Sequence, residues 1–298
     1  MRIQRLFCTL LLSMIAQPAN AQGTQGLVRI TDSVYQYIED HHRSLVIFGK
    51  DEMAVVDPLF IEESKKFAAA LKRIKPKSRF KYLIYSHSHS DHIEGASGLV
   101  VEFTPPPIII STKTTKEMTL KDREPTVLVP SETFRGETVL NVGGTEIKLI
   151  ELPPNESRGM LMVSIPSEQT LFAVDFIKGK TVGYKDLHDY DFPGLAKSIE
   201  MVLKMDFRTI LFAHGEPGDK AQVKEQLLYW SDVCQWVAQA VRDGKSLSEA
   251  QKVIDHRKYK SWYGFAPWYD DNLKGMYRWL TSGAVLKATA CSVFKSEK

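Results

Sequence analysis

The first two thirds of the chain alternate short apolar runs with turn residues. Runs at 44–48 and 53–56, split by Gly49-Lys50-Asp51-Glu52, predict two strands and a turn. Residues 61–74 set Phe67, Ala70, Leu71 and Ile74 on one face of a helix. Strands are expected at 82–85 and at 108–110, the second behind Pro105-Pro106-Pro107. Segments 138–142 and 146–152 flank Gly143-Gly144 and predict a hairpin. A further strand pair, 161–165 and 170–174, surrounds Pro166-Ser167-Glu168-Gln169. Pro193 opens a helix expected to reach about residue 205, and 209–213 reads as a strand.

From about Asp219 the texture becomes helical. Leu227, Trp230, Cys234, Val237 and Val241 recur at three and four residues and form one apolar stripe. Another helix is expected after Ser246, and a last one over about 271–281. All five tryptophans (Trp230, Trp236, Trp262, Trp268 and Trp279) lie in this tail, where the expected role is packing it onto the body. The pattern describes a mixed α/β body with a helical extension.

The N-terminus changes the picture of where the chain works. Arg2 and Arg5 precede an apolar stretch, 6–16, too short to span a bilayer comfortably. Ala19-Asn20-Ala21 then forms a small-x-small cleavage site, so residues 1–21 are expected to be a secretory signal, cut before Gln22. The organisation expected is signal 1–21, body 22–218, and extension 219–298 packed on the same domain, with a periplasmic or secreted location. No later segment reads as a membrane span, so no membrane anchor is expected after cleavage. Loss of Arg2 and Arg5 lowers the formal charge from +3 to about +1. That balance gives no reason to expect nucleic acid as a partner. With 43% hydrophobic and 25% charged residues, the composition excludes a disordered chain and a disulfide miniprotein. Cys234 and Cys291 remain after cleavage; they could pair in an exported protein, or Cys234 could be a small core residue.

The chemistry concentrates in Ser86-His87-Ser88-His89-Ser90-Asp91-His92. Three of the eight histidines and a carboxylate fall within six positions, directly after a strand. Alternate residues at a strand end point the same way, so His87 and His89 can hold one cation. Asp91 and His92 can turn to a second. Imidazole and carboxylate donors without thiolate suit zinc, with iron or manganese as alternatives. Asp175 and His214 each follow an expected strand and could join the same rim. His188 lies in a loop that could carry substrate contacts, although a surface histidine is the preferred reading. His41, His42 and His256 belong to no motif.

These residues resemble the metallo-β-lactamase-fold superfamily of metallohydrolases. The resemblance runs from Val55-Val56-Asp57-Pro58 through His87-Ser88-His89-Ser90-Asp91-His92 and Gly95, then Leu171-Phe172-Ala173-Val174-Asp175, to Ala213-His214-Gly215. It implies an αββα sandwich with a two-metal site at one edge of the sheets. It further implies that His87, His89 and a later histidine hold the first metal. Asp91, His92 and His214 would hold the second, Asp175 would bridge them, and Asp57 would support the ligands from behind. One position departs from the pattern. The later histidine's motif reads His, a small hydroxyl residue, any residue, Gly, but residues 153–159 present Glu156 there. A carboxylate oxygen can ligate zinc, so Glu156 is either a ligand or a loop residue beside one full and one weak metal site.

The function these features imply is an exported, zinc-dependent hydrolysis of an ester, lactone, amide or related bond in a small molecule, with two ions or one per chain. Asp91 and Asp175 would orient the attacking water as well as ligate. A β-lactamase proper and a non-catalytic metal- or ligand-binding protein with a degenerate site are the alternatives.

Overall fold

The computed structural model describes residues 26–254, 257–282 and 290–295. The expected signal at 1–21 and His256 lie outside the described residues. Seven strands form the first sheet in chain order: β1 (Gly26–Arg29), β2 (Val34–Glu39), β3 (His42–Phe48), β4 (Glu52–Val56), β5 (Arg79–Ile84), β6 (Ile108–Thr112) and β7 (Glu132–Phe134). The second sheet holds β8 (Glu137–Val142), β9 (Thr145–Glu151), β10 (Leu161–Ile165), β11 (Thr170–Ala173) and β12 (Thr209–Phe212), ordered β12-β11-β10-β9-β8. The helices are α1 (Ser64–Ile74), α2 (Ser90–Ile93), α3 (Ala96–Val100), α4 (Lys113–Asp122), α5 (Phe192–Lys204), α6 (Lys220–Arg242), α7 (Leu247–Val253) and α8 (Phe265–Thr281).

Alternation along β3 shows how the layers assemble. Leu45 and Ile47 point into the space between the sheets, against Leu149, Leu161, Val163 and Phe172. Val46 and Phe48 point the other way and pack with Phe67 and Leu71 of α1 and Leu99 of α3. Successive side chains of a strand face opposite sides, so one run serves two cores. On the far side of the second sheet, Leu171 and Ala173 pack with Leu195 and Ile199 of α5, Val233 and Val237 of α6, and Leu273 and Met276 of α8. The result is the αββα sandwich expected, with a helical C-terminal part buried into its outer layer.

The tail differs from expectation at one boundary. The last helix begins at Phe265, six residues ahead of the expected start. Pro267 discourages a helix there, but it occupies the first turn, where its missing N–H has no intrahelical acceptor to lose. The expected helix at 61–74 opens with a 3-10 turn, Ile61–Glu63, before α1. Cys234 and Cys291 are joined by a disulfide that ties α6 to the 290–294 turn, which resolves the two readings left open for this pair. Trp230 and Trp262 are buried, and Trp236, Trp268 and Trp279 pack partly buried against the same core. Among the described residues, no helix is long and apolar enough to cross a membrane.

Topology then fixes where polar groups gather. β4 and β5 run parallel, so the turns after them, starting at Asp57 and Ser86, leave the same edge. β11 and β12 are also parallel, which brings Asp175 and His214 out together. Leu161 N–H donates to Ser86 C=O at 2.9 Å and links the two edges.

Candidate metal centre

Two groups of side chains converge at this edge. His87, His89, Glu156 and Asp175 form one; Asp91, His92, Asp175 and His214 form the other. Within each group the donor atoms lie within 4.8 Å of one another, and Asp175 belongs to both. His214 Nε2 lies 2.9 Å and His92 Nε2 3.3 Å from Asp175 Oδ1. Asp175 Oδ2 faces His87 Nε2 at 3.8 Å, and His89 Nδ1 stands 3.6 Å from Glu156 Oε2. Every residue singled out in the sequence as a candidate ligand is therefore in the cluster. Glu156, at the departing position, stands with the first group. His188 is a surface histidine at the rim, 3.0 Å from Asp189.

Local structure explains these placements. His89 precedes α2 with extended backbone, so the chain turns and carries Asp91 and His92, the second and third residues of the helix, into the site. Asp57 has a left-handed backbone (φ 62°), which turns its carboxylate under the histidine loop. There it accepts from Ser86 N–H at 2.8 Å and Ser86 Oγ–H at 2.6 Å, and lies 2.9 Å from His92 Nδ1. The Glu156 loop is held by Asn155, whose C=O accepts from Asp191 N–H at 2.7 Å and whose Nδ2 donates to Ser198 Oγ at 3.1 Å. Gly95 has no room for a side chain, since a Cβ there would lie 2.6 Å from Pro58 C=O.

Burial and mutual charge set the protonation states. Burial drives His87 toward its neutral form, well below the usual imidazole range. Burial also opposes a charged His92, but Asp91 and Asp175 outweigh it and hold that imidazole well above its ordinary value. Asp175 is held well below the usual carboxylate range because Lys178, His214 and His92 overcome its burial. Burial and the Asp175 charge push Glu156 up to about 7.

The residues fit a divalent cation. His87 Nε2 and Glu156 Oε2 are buried with no hydrogen-bond partner, and His92 Nε2 and Asp175 Oδ1 meet no polar group outside the cluster, so all four face it. Buried polar atoms without partners are costly, and four converging from two sheets need a shared one. Imidazole and carboxylate are donors for zinc, iron or manganese.

Sequence reasoning missed two neighbours. His42 Nε2 lies 3.5 Å from Asp91 Oδ2. The His41 ring stacks on Tyr263 at 3.6 Å between centroids and stands 5.4 Å from the His214 ring. Burial, aided by His214 and Arg43, pulls His41 down to about 3, so it is neutral in ordinary buffers. Both sit at the β2–β3 turn, which carries no motif; only their adjacency to each other was visible. The cluster floors a cavity of about 650 Å³, within the range of small-molecule sites.

The sequence pattern of the metallo-β-lactamase superfamily matches residues 38–214, more than half of the chain, and the protein belongs to that superfamily. The chain is similar to the alkyl/aryl-sulfatase BDS1 of Saccharomyces cerevisiae, 36% identical over 86 residues, and to a linear primary-alkylsulfatase of a Pseudomonas species, 38% identical over 79 residues. Those stretches are 28% and 26% of this chain, but only 13% and 12% of the two relatives. Among solved structures, the inverting sec-alkylsulfatase Pisa1 from Pseudomonas has a TM-score of 0.67 at 14% identity, covering 89% of this chain and 51% of Pisa1. A metallo-β-lactamase from Pontibacter korlensis has a TM-score of 0.59 at 17% identity, covering 69% of this chain and 98% of that protein.

Proposed function

We propose that the protein is an exported hydrolase of small-molecule esters that works with two zinc ions. The observation that carries this reading is the convergence of two ligand groups on one shared carboxylate, Asp175, at the floor of a cavity sized for a small molecule. The first ion would be held by His87, His89, Glu156 and Asp175, and the second by Asp91, His92, Asp175 and His214. When bound, the ions supply Lewis acidity, which lowers the pKa of a water and polarises the attacked oxygen.

The chain's own residues do the rest. Asp57 fixes the His92 ring from behind so that Nε2 faces the cluster. Asp91 is the most exposed carboxylate of the cluster and lines the cavity, where it would orient the attacking water as well as ligate. His42 Nε2, 3.5 Å from Asp91 Oδ2, also lines the cavity and helps hold that carboxylate in place. Lys178 Nζ, 4.0 Å from Asp175 Oδ2, adds positive charge to a carboxylate-rich floor and favours an anionic group.

Sulfate esters are the first substrate class to test. The 36% and 38% identities to proteins named as alkylsulfatases support that choice, as does Lys178. Export rests on the signal-like sequence at 1–21. The test is metal analysis of the purified chain together with a panel of alkyl sulfates, carboxylic esters, lactones and β-lactams. Two metals with turnover of a sulfate or carboxylic ester support the reading. Turnover of β-lactams alone would replace it with a lactamase, and metal without any turnover with a binding protein.

A further inference from the structure

Part of the cavity wall beside the metal groups comes from the C-terminal segment. Tyr263 and Trp268, from just before and within α8, face Tyr184 and Leu187 of the loop after β11. Trp268 meets Tyr184 edge-on at 5.0 Å between centroids and Tyr263 at 5.9 Å. Tyr263 in turn stacks on His41, beside His214. A continuous run of rings therefore leads from a candidate metal ligand, His214, to Tyr184. Tyr184 and Tyr263 are 47% and 48% exposed, although each is held in place, so open aromatic surface faces the cavity.

One buried side chain holds the loop in this position. Asn272 of α8 is fully buried. Its Nδ2 donates to the carbonyls of Gly183 and Lys185, each at 2.9 Å, and its Oδ1 accepts from Gly183 N–H at 2.8 Å and from Tyr229 Oη–H. A second tie runs between backbones: Val182 N–H donates to Tyr263 C=O, and Tyr263 N–H to Lys180 C=O. Gly183 cannot carry a side chain, because a Cβ there would lie 2.4 Å from Leu187 and 2.9 Å from Asn272 Oδ1. Arg278 adds an outer clasp to Asp186 at 2.9 Å. Asn272 does not itself line the cavity; its side chain acts through this loop and through the C=O of Trp268, to which Nδ2 also donates at 2.9 Å.

We propose that the C-terminal segment selects the substrate: Tyr263 and Trp268, with Tyr184 held by the positioning residue Asn272, bind an apolar alkyl or aryl group attached to the ester that reacts at the metal cluster. The proposal rests on the hydrolase reading for the identity of the polar head, but its test needs no turnover. Beside the cluster and the polar Thr181, His188 and Asp189, the lining offers rings and Leu187, so a substrate with one charged end and one apolar end finds a surface for each. An apolar chain laid along such a wall gains affinity with each methylene removed from water.

The test uses linear alkane-1-sulfonates from methane to decane, non-hydrolysable stand-ins for sulfate esters, titrated calorimetrically into the metal-loaded protein. In the native protein, affinity is expected to rise roughly two- to fourfold per methylene over part of the series. Trp268→Ala and Asn272→Asp should flatten that dependence, so that the loss grows with chain length instead of falling equally on methanesulfonate. Hydrogen exchange at residues 182–187 should speed up in Asn272→Asp, with metal content retained. If Asn272→Asp does not fold, Trp268→Ala decides the matter alone. A native protein with no chain-length dependence, or variants that keep the native dependence, would overturn the proposal. Loss of the hydrolase reading would show differently, as normal chain-length dependence without turnover of any ester.

Discussion

Asp57 Oδ2 lies 2.9 Å from Nδ1 of His92, and both side chains are fully buried. A carboxylate only accepts, so Nδ1 carries a proton and Nε2 is the atom turned to the cluster. Ser86 anchors the same carboxylate with its backbone and its hydroxyl. Asp57→Asn keeps the shape but can present an amide N–H to Nδ1. Metal affinity at the Asp91–His92–His214 group is expected to fall about 10- to 100-fold, the usual size for such supporting contacts. Titration with a chromophoric chelator measures it, and unchanged affinity would remove Asp57 from the account.

The protonation of Glu156 gives a pH signature in the metal-free protein. Its folded pKa, about 7, lies above the ordinary 4.5, because burial and Asp175 disfavour the charge. Such a group binds its proton more tightly folded than unfolded, so its effect on stability becomes less favourable as pH rises from about 4.5 to 7. Glu156→Gln removes that titration. The metal-free variant should gain stability relative to the native chain across this window and hold the gain above it. Urea unfolding at pH 4.5, 6 and 8 reads the difference, and a gap that does not widen with pH would contradict it.

Gly194 ties the Glu156 loop to α5. A Cβ at this position would lie 1.7 Å from Pro154 C=O, two residues before Glu156. Gly194→Ala should therefore cost about 1–3 kcal/mol, as overpacking does. It should also weaken metal binding at the His87–His89–Glu156 group more than at the other. Equal stability and equal affinity for both ions would show that the loop adjusts freely.

The Cys234–Cys291 bridge spans 57 positions. Closing a loop of that length restricts the unfolded chain, and Cys234→Ala with Cys291→Ala should lower stability by about 2–4 kcal/mol. The denaturant midpoint of oxidised native protein against the double variant measures this. Equal midpoints would mean that the bridge adds nothing to the helical layer.

Much of the body was legible because its strands are short, apolar and bounded by glycine, proline or acidic turns. The Gly143-Gly144 hairpin and the run 161–174 needed only local information, and the histidine cluster announced itself by density. Asp175 and His214 could be joined to it because each follows a strand. The wall of the cavity was not legible. Asn272 and Gly183 stand 89 positions apart, and neither has a pattern that points to the other. His41 and His42 reach the site only because β2 and β3 fold back over a two-residue turn, with Asp40 in a left-handed conformation (φ 51°). β2 itself alternates less clearly than its neighbours, since Gln36 is buried and donates to Phe212 C=O across the sheets. The start of α8 was hidden by Pro267, whose first-turn position only the folded backbone reveals.

The central claim is a pair of metal sites sharing Asp175, with Glu156 in the place usually held by histidine. The most direct measurement is metal content by inductively coupled plasma mass spectrometry, paired with zinc titration of the native, Glu156→Ala and Glu156→His proteins. The account predicts two equivalents in the native chain, loss or marked weakening of one in Glu156→Ala, and recovery of both in Glu156→His. A native chain that holds no metal, or a Glu156→Ala variant that holds both ions with native affinity, would contradict it.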